Sequence, residues 1–162
     1  GISDFGLARQ LGISRKEAAR YIELYFMRYP GVHTYLKGCV ERAKQQGAAT
    51  TLFGRRREMP ELKSSNYNTR SFGERVAMNM PIQGTAADII KLAMVRVHNE
   101  LKARGMKSEL ILQIHDELII DAVQEEADAA AEILKSCMEN VINLKVPLLA
   151  EVHTGHSWFD TK

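Results

Sequence analysis

The sequence has few cysteines and no long apolar run. Cys39 and Cys137 are its two cysteines, too few for a disulfide framework and without the paired spacing of a zinc site. We therefore expect reduced thiols and a cytoplasmic location. No apolar run reaches the roughly 20 residues that a membrane helix requires, and the N-terminus lacks the basic and apolar regions of a signal peptide, so we expect no membrane partner.

A large excess of charge of either sign is also lacking. The 22 lysines and arginines oppose 20 acidic residues, which leaves a net charge of +2. This net charge is too small to indicate a nucleic-acid partner. Any prediction of nucleic-acid binding must therefore rest on the positions of the charged residues. A hydrophobic content of 45% and a charged content of 26% are typical of a globular chain with a sizeable core.

The most informative stretch is the triplet His115-Asp116-Glu117, which stands between two short aliphatic runs, 110–114 and 118–120. Each run has the length and composition of a strand, so the stretch predicts a tight β-hairpin with the triplet at its turn. Period-2 alternation then places Ile111, Gln113 and His115 on one face.

Two adjacent carboxylates at a strand end, Asp116 and Glu117, are suited to a hard cation. Mg²⁺ prefers oxygen ligands and commonly binds together with substrate phosphates. The alternative is a solvated turn without function, because aspartate is an ordinary turn residue.

Two helices are predicted before residue 48. Ser14 and Glu17 have the spacing of a capping box at the start of the first helix, Pro30 ends it, and Gly47 ends the second. Packing between these helices is predicted for their aromatic side chains, with base stacking as the alternative. These side chains are Tyr21, Tyr25, Phe26, Tyr29 and Tyr35.

A basic segment follows a predicted strand at 50–53. Arg55 and Arg56 come directly after the turn residue Gly54, and from 54 to 75 six cations oppose three acidic residues, an excess of +3 (6 minus 3). Arginine pairs well with phosphate oxygens, so contact with a nucleic-acid backbone is one interpretation. A solvated charged loop is the other.

A long helix is predicted over residues 71–104, with a kink or break near Pro81. Arg75, Asn79 and Gln83 recur at i, i+4 and i+8, which aligns three long polar side chains on one face. Such a row can bond to base edges or sugars, although helix surfaces often carry polar rows. A last helix over 124–141 and a closing strand over 147–153 complete the prediction.

Together these segments resemble the C-terminal part of the family A DNA polymerases. The resemblance covers essentially the whole chain, and its matching segments, in order, are Gly1-Ile2-Ser3, 51–57, 79–88, 113–118 and 155–158. It implies an α+β fold: residues 1–48 are a helical portion of the fingers, and residues 49–162 are a palm portion with helices packed on a small antiparallel sheet.

The resemblance also implies residue roles in template-directed DNA synthesis by two-metal phosphoryl transfer. Asp116 matches a ligand of the catalytic metals, two Mg²⁺ ions, and Glu117 a supporting carboxylate. Gln113 and His115 match residues near the primer terminus. The remaining matches imply DNA contacts: minor-groove contacts to primer and template for Arg75, Asn79 and Gln83, and backbone contacts for Arg55 and Arg56.

The partners implied are primer–template DNA, deoxynucleoside triphosphates and an upstream part of the polymerase. The family places a second metal-binding aspartate and a triphosphate-binding fingers helix before the position of Gly1, so we expect these 162 residues alone to be an inactive fragment. Two other functions stay open: a DNA-binding module without catalysis, and a metal-dependent phosphoryl hydrolase that uses Asp116 and Glu117.

Overall fold

The structure, a computed structural model, describes residues 2–161. Gly1, the first residue of the motif matched at the N-terminus, and Lys162 lie outside the described residues. The chain forms two compact units, one ending at Thr85 and the other beginning at Ala86. The assignment of residues 1–48 to the fingers and 49–162 to the palm stays a prediction.

The first unit is mostly helical and contains one two-stranded antiparallel sheet. Its elements are α1 (Asp4–Leu11), α2 (Arg15–Arg28), α3 (Pro30–Gln46), β1 (Ala48–Thr50), β2 (Arg56–Glu58), a 3₁₀ turn (Pro60–Lys63), α4 (Tyr67–Asn79) and a π-helical turn (Met80–Gly84). The second unit has a separate two-stranded sheet. Its elements are α5 (Thr85–Ala103), whose first residue still belongs to the first unit, β3 (Glu109–Ile114), β4 (Glu117–Asp121), a 3₁₀ turn (Gln124–Glu126), α6 (Ala127–Glu139) and a 3₁₀ turn (Trp158–Thr161).

Local sequence signals set the helix ends in the first unit. The Ser14 hydroxyl accepts a hydrogen bond from the Glu17 amide, and the Glu17 carboxylate accepts one from the Ser14 amide, which completes the predicted capping box. Gly47 follows α3 with a φ of 70°, a left-handed conformation that glycine adopts without strain. Helix α1, capped by the Ser3 hydroxyl, was not predicted from the sequence.

Each unit has its own apolar core. Short side chains from α3, β1 and α4 pack around Met59 in the first unit. In the second unit, α5 and α6 enclose Leu118 of β4; the buried residues are Ile90, Ala93, Val97, Leu101, Leu118, Ala130, Ile133 and Val141. Full burial of a large apolar side chain contributes about 1.5–3 kcal/mol. The β3–β4 hairpin is therefore anchored to a helical core, with Leu118 of β4 buried in it and Leu110 of β3 packed against it.

Several predicted elements differ from the structure. The helix predicted over 71–104 begins earlier, at Tyr67, but its predicted break near Pro81 is confirmed: a π turn separates α4 from α5, because Pro81 has no amide hydrogen to donate within a regular helix. The last helix is shorter than 124–141, since its first turn is 3₁₀. The prediction of a closing strand over 147–153 is wrong, because in residues 2–161 every strand belongs to one of the two hairpins and this segment pairs with neither.

The predicted packing of the aromatic residues is also wrong for four of the five. Tyr21, Tyr25, Tyr29 and Tyr35 are about half exposed, and only Phe26 is substantially covered, by stacking on His33. The inward side of α2 is instead defined by Ala18, Ile22 and Phe26, which are spaced by four residues, and Tyr21 and Tyr25 lie beside this line.

None of the helices among the described residues is both long and apolar enough to span a lipid bilayer.

Candidate active site and nucleic-acid interface

The tip of the β3–β4 hairpin presents the candidate metal-binding residues. Ile114 pairs with Glu117, so His115 and Asp116 form a two-residue turn. Such turns require positive φ, and His115 adopts a φ of 52°. The side-chain amide of Gln113 donates a hydrogen bond to the His115 carbonyl oxygen (2.6 Å), which supports the turn.

The side chains at this tip are open to solvent. His115, Asp116 and Glu117 are all exposed, and in residues 2–161 neither carboxylate of the pair has a hydrogen-bonding or ionic partner. Anionic oxygens match the ligand preference of Mg²⁺, so the donor chemistry fits. No group of three acidic, histidine or cysteine side chains converges among the described residues, so Asp116 and Glu117 supply only part of a coordination shell.

The strict alternation predicted for the first strand is wrong at one position. The register shifts between Leu110, which pairs with Ile120, and Leu112, which pairs with Ile119, so Ile111 is an extra residue in a β-bulge. Ile111 and Leu112 are both exposed. The bulge cannot be read from alternation, because it depends on which partners the neighbouring strand offers.

A polar network closes the open end of the hairpin. The buried Ser108 hydroxyl donates to the Glu126 carboxylate (2.6 Å) and accepts from the Val123 amide (3.1 Å). The same carboxylate accepts from the amides of Lys107 and Ser108, at 3.0 and 2.9 Å. These bonds, that from the Ser108 hydroxyl first, lower the pKa of Glu126. The network joins the chain before β3 to the chain after β4.

The supporting role of Ser108 and Glu126 was not predicted from the sequence. Neither belongs to a motif, and their 18-residue separation leaves no local signal.

In the first unit, the basic turn connects β1 and β2. Thr50 pairs with Arg56, and the Thr51 hydroxyl accepts a hydrogen bond from the Arg55 amide (3.1 Å). Gly54 has a φ of 82°, which favours glycine at this position. Arg56 is exposed but pairs with Glu58 at 2.7 Å and thereby lowers the pKa of that carboxyl, so part of the local positive charge is neutralised.

The polar row predicted on one helix face is divided between two elements. Arg75 and Asn79 lie on α4, where the Arg75 guanidinium donates to the Ser71 hydroxyl at 3.0 Å. Gln83 lies in the π turn and is exposed. The π turn is wider than a turn of α-helix and interrupts the regular period. Arg75 and Asn79 therefore share a face as predicted, but Gln83 does not continue that face with regular α-helical spacing.

Thr85 joins the basic turn to the π turn. The Leu52 amide donates to the Thr85 hydroxyl (2.9 Å), which itself donates to the Pro81 carbonyl oxygen four residues earlier. Back-bonding to the i−4 carbonyl is a known property of helical threonine, so this residue did have a sequence signal. The structure thus brings the segment of Arg55 and Arg56 close to the segment of Gln83.

Comparison with known proteins identifies the family. The family model described as DNA polymerase family A matches residues 1–160. The chain belongs to this family. It is 54% identical to DNA polymerase I of Caldicellulosiruptor bescii and 51% identical to that of Bacillus caldotenax, in each case over all 162 residues. These residues cover 19% and 18% of the two relatives, so the chain spans less than a fifth of their length.

A solved structure supports the same assignment. The POL domain of Pol1 from M. smegmatis, in complex with DNA primer-template and dNTP, matches with a TM-score of 0.95 and 44% identity. The match covers 99% of this family A chain and 28% of that chain. The expected α+β fold is confirmed, with two small antiparallel sheets where one was predicted.

Proposed function

We propose that this family A chain is the part of a template-directed DNA polymerase that carries a catalytic metal ligand and contacts primer–template DNA. The observation that carries the proposal is the two-residue hairpin turn, which holds the Asp116 carboxylate in solvent beside Glu117. The partners would be a primed DNA template and deoxynucleoside triphosphates. The M. smegmatis domain was solved with such ligands.

The reaction would join the primer 3′-oxygen to the α-phosphorus of a deoxynucleoside triphosphate and release pyrophosphate. Two bound Mg²⁺ ions would lower the pKa of the 3′-hydroxyl and stabilise the charge of the in-line transition state. Asp116 would hold the metals through its carboxylate, and Glu117 would add negative charge beside it. Gln113 keeps the turn in shape, and with His115 it would contact the primer terminus.

The first unit would bind DNA without reading its sequence. Arg55 and Arg56 would pair with backbone phosphates. Arg75, Asn79 and Gln83 would bond to minor-groove edges, whose acceptors are similar in all base pairs. Such contacts would test the geometry of a base pair rather than its identity, which suits a copying enzyme.

The 162 residues alone should be inactive. Mg²⁺ requires near-octahedral oxygen coordination, and among the described residues no third acidic side chain joins Asp116 and Glu117. We propose that another part of the polymerase supplies the remaining carboxylate and the triphosphate site.

Grafting these residues into a relative gives a direct test. They would replace the matching segment of the C. bescii polymerase, and primer extension would be measured with Asp116 intact or changed to Ala. We expect Asp116→Ala to slow extension about a thousandfold, because metal stabilisation of several kcal/mol is lost. Asp121→Ala, at the exposed far end of β4, is the matched control and should extend normally. Wild-type extension by the Asp116→Ala graft would refute the assignment.

DNA binding without catalysis is the second candidate. It is favoured by the excess of +3 over residues 54–75 (six cations minus three acidic residues) and by the exposure of Arg55 and Arg56. It predicts that the graft with intact Asp116 is inactive, and that the isolated chain binds duplex DNA with an affinity that falls steeply with salt.

A further inference from the structure

One side of α2 carries exposed aromatic residues that the proposed function does not use. Residues 21, 24, 25 and 28 follow the i, i+3, i+4, i+7 spacing of a single helix face, and residue 29, which caps the C-terminus of α2, follows at i+8. We call this the tyrosine face; its members are Tyr21, Leu24, Tyr25, Arg28 and Tyr29. The exposed fractions of Tyr21, Tyr25 and Tyr29 are 56%, 51% and 51%, values more typical of a binding surface than of helix packing.

The rings of the tyrosine face are ordered by their neighbours. The Tyr25 ring centroid lies 5.1 Å from that of Tyr29 and 5.5 Å from that of Phe26. Phe26 in turn stacks on His33, with centroids 4.4 Å apart and planes inclined by 20°. Because these half-exposed rings are already held in place, a ligand that binds them would cause little further loss of side-chain entropy.

Two exposed arginines lie on or beside the tyrosine face. Arg28 belongs to it and Arg20 lies one helical turn before Leu24; both are exposed, and neither has an ion-pair partner among residues 2–161. Over residues 15–46, seven lysines and arginines oppose three glutamates, an excess of +4 (7 minus 3), of which Arg15 and Lys44 are paired with Asp4 and Glu74 outside this segment. An apolar partner surface would have to desolvate Arg28, whereas a polyanion would pair with it.

We propose that the tyrosine face binds single-stranded nucleic acid. Unpaired bases would stack on Tyr21, Tyr25 and Tyr29, and phosphates would pair with Arg20 and Arg28. A duplex keeps its base faces inside the stack, so the face selects single strands. This binding requires neither Asp116 nor a divalent cation, so it can be tested separately from the proposed DNA synthesis.

The test is fluorescence anisotropy of a labelled thymidine oligonucleotide of about 12 nucleotides, within the usual range of single-strand sites. The 162-residue chain is titrated in EDTA. Changing Tyr21, Tyr25 and Tyr29 together to Leu preserves bulk and helix propensity but removes the rings. We expect affinity to fall on the order of tenfold for each ring lost, and the triple change to Phe to restore it.

The charge contribution is tested separately. Changing Arg20 and Arg28 to Gln should weaken binding and make the slope of log affinity against log salt shallower by about 1.4, since each phosphate contact on a single strand contributes about 0.7. Phe159→Leu removes an 85% exposed ring from the other compact unit and should change nothing.

Three results would overturn the proposal. The first is wild-type affinity in the Leu variant when circular dichroism shows it folded. The second is an equal loss of duplex binding, which would mean that the face senses only backbone charge. The third is unchanged oligonucleotide binding together with a shift from dimer to monomer by light scattering, which would make the tyrosine face a contact between copies of the chain.

Discussion

Ser108→Ala should loosen the base of the hairpin that presents Asp116. The Ser108 side chain is 2% exposed, and its hydroxyl bonds both to the Glu126 carboxylate and to the Val123 amide. Alanine fills nearly the same volume but can make neither bond. The substitution therefore removes the link between the two ends of the hairpin without creating a large cavity.

The expected cost is about 1–3 kcal/mol of unfolding free energy, because the Val123 amide loses its acceptor in a partly buried position. Domains of this kind have a total stability of about 5–15 kcal/mol, so the loss is measurable by urea unfolding. Amides of β3 and β4 should exchange with solvent about tenfold faster for each 1.4 kcal/mol lost.

The effect should also depend on pH. Hydrogen bonding, that of Ser108 first, lowers the pKa of Glu126 below its ordinary value of 4.5 in the folded chain. A carboxyl with a lowered folded pKa stabilises the fold above its unfolded pKa, and the contribution is lost as the pH falls through the folded pKa. The difference between wild type and Ser108→Ala should thus be complete above about pH 4.5 and shrink in more acidic solution.

Ser136→Ala is the matched control, since this serine lies exposed on α6 and its hydroxyl has no bonding partner among the described residues. It should change stability by less than about 0.5 kcal/mol. If Ser108→Ala were equally neutral, or if its cost were constant from pH 7 to below pH 4.5, the network would not secure the hairpin and our reasoning would be wrong.

Two further substitutions, each with a matched control, test the first unit. Gly84→Ala should cost about 1–3 kcal/mol in urea unfolding, because its Cβ would lie 2.7 Å from Thr51 Cγ2, whereas Gly31→Ala, with no atom within 4 Å of its Cβ, should cost nothing. Equal losses of stability in the Gly84 and Gly31 variants would contradict the close approach of Gly84 to Thr51. Met59→Ala, at a 1% exposed core position, should cost about 2–5 kcal/mol, and Met27→Ala, at a 70% exposed position, less than about 0.5 kcal/mol. A small Met59 effect would mean that the core refills the space.

The family and the main elements of this protein could be read from its sequence, because they depend on local signals. The Ser14 box, Gly47 and the aliphatic runs around the His115 triplet act within a few residues of themselves, and each is present in the structure. The segments that resemble the family A polymerases are equally local.

Other features were decided by tertiary structure alone. The bulge at Ile111 depends on the partner strand, and the bonds between Ser108 and Glu126 join positions that fold rather than sequence brings together. The exposure of Tyr25 was mispredicted because helical spacing indicates which residues share a face, but not whether another element covers that face. The sequence alone determined which chemical groups exist and on which elements they lie. Long-range packing decided which of them meet, because contacts between distant residues leave no periodic signal in the chain.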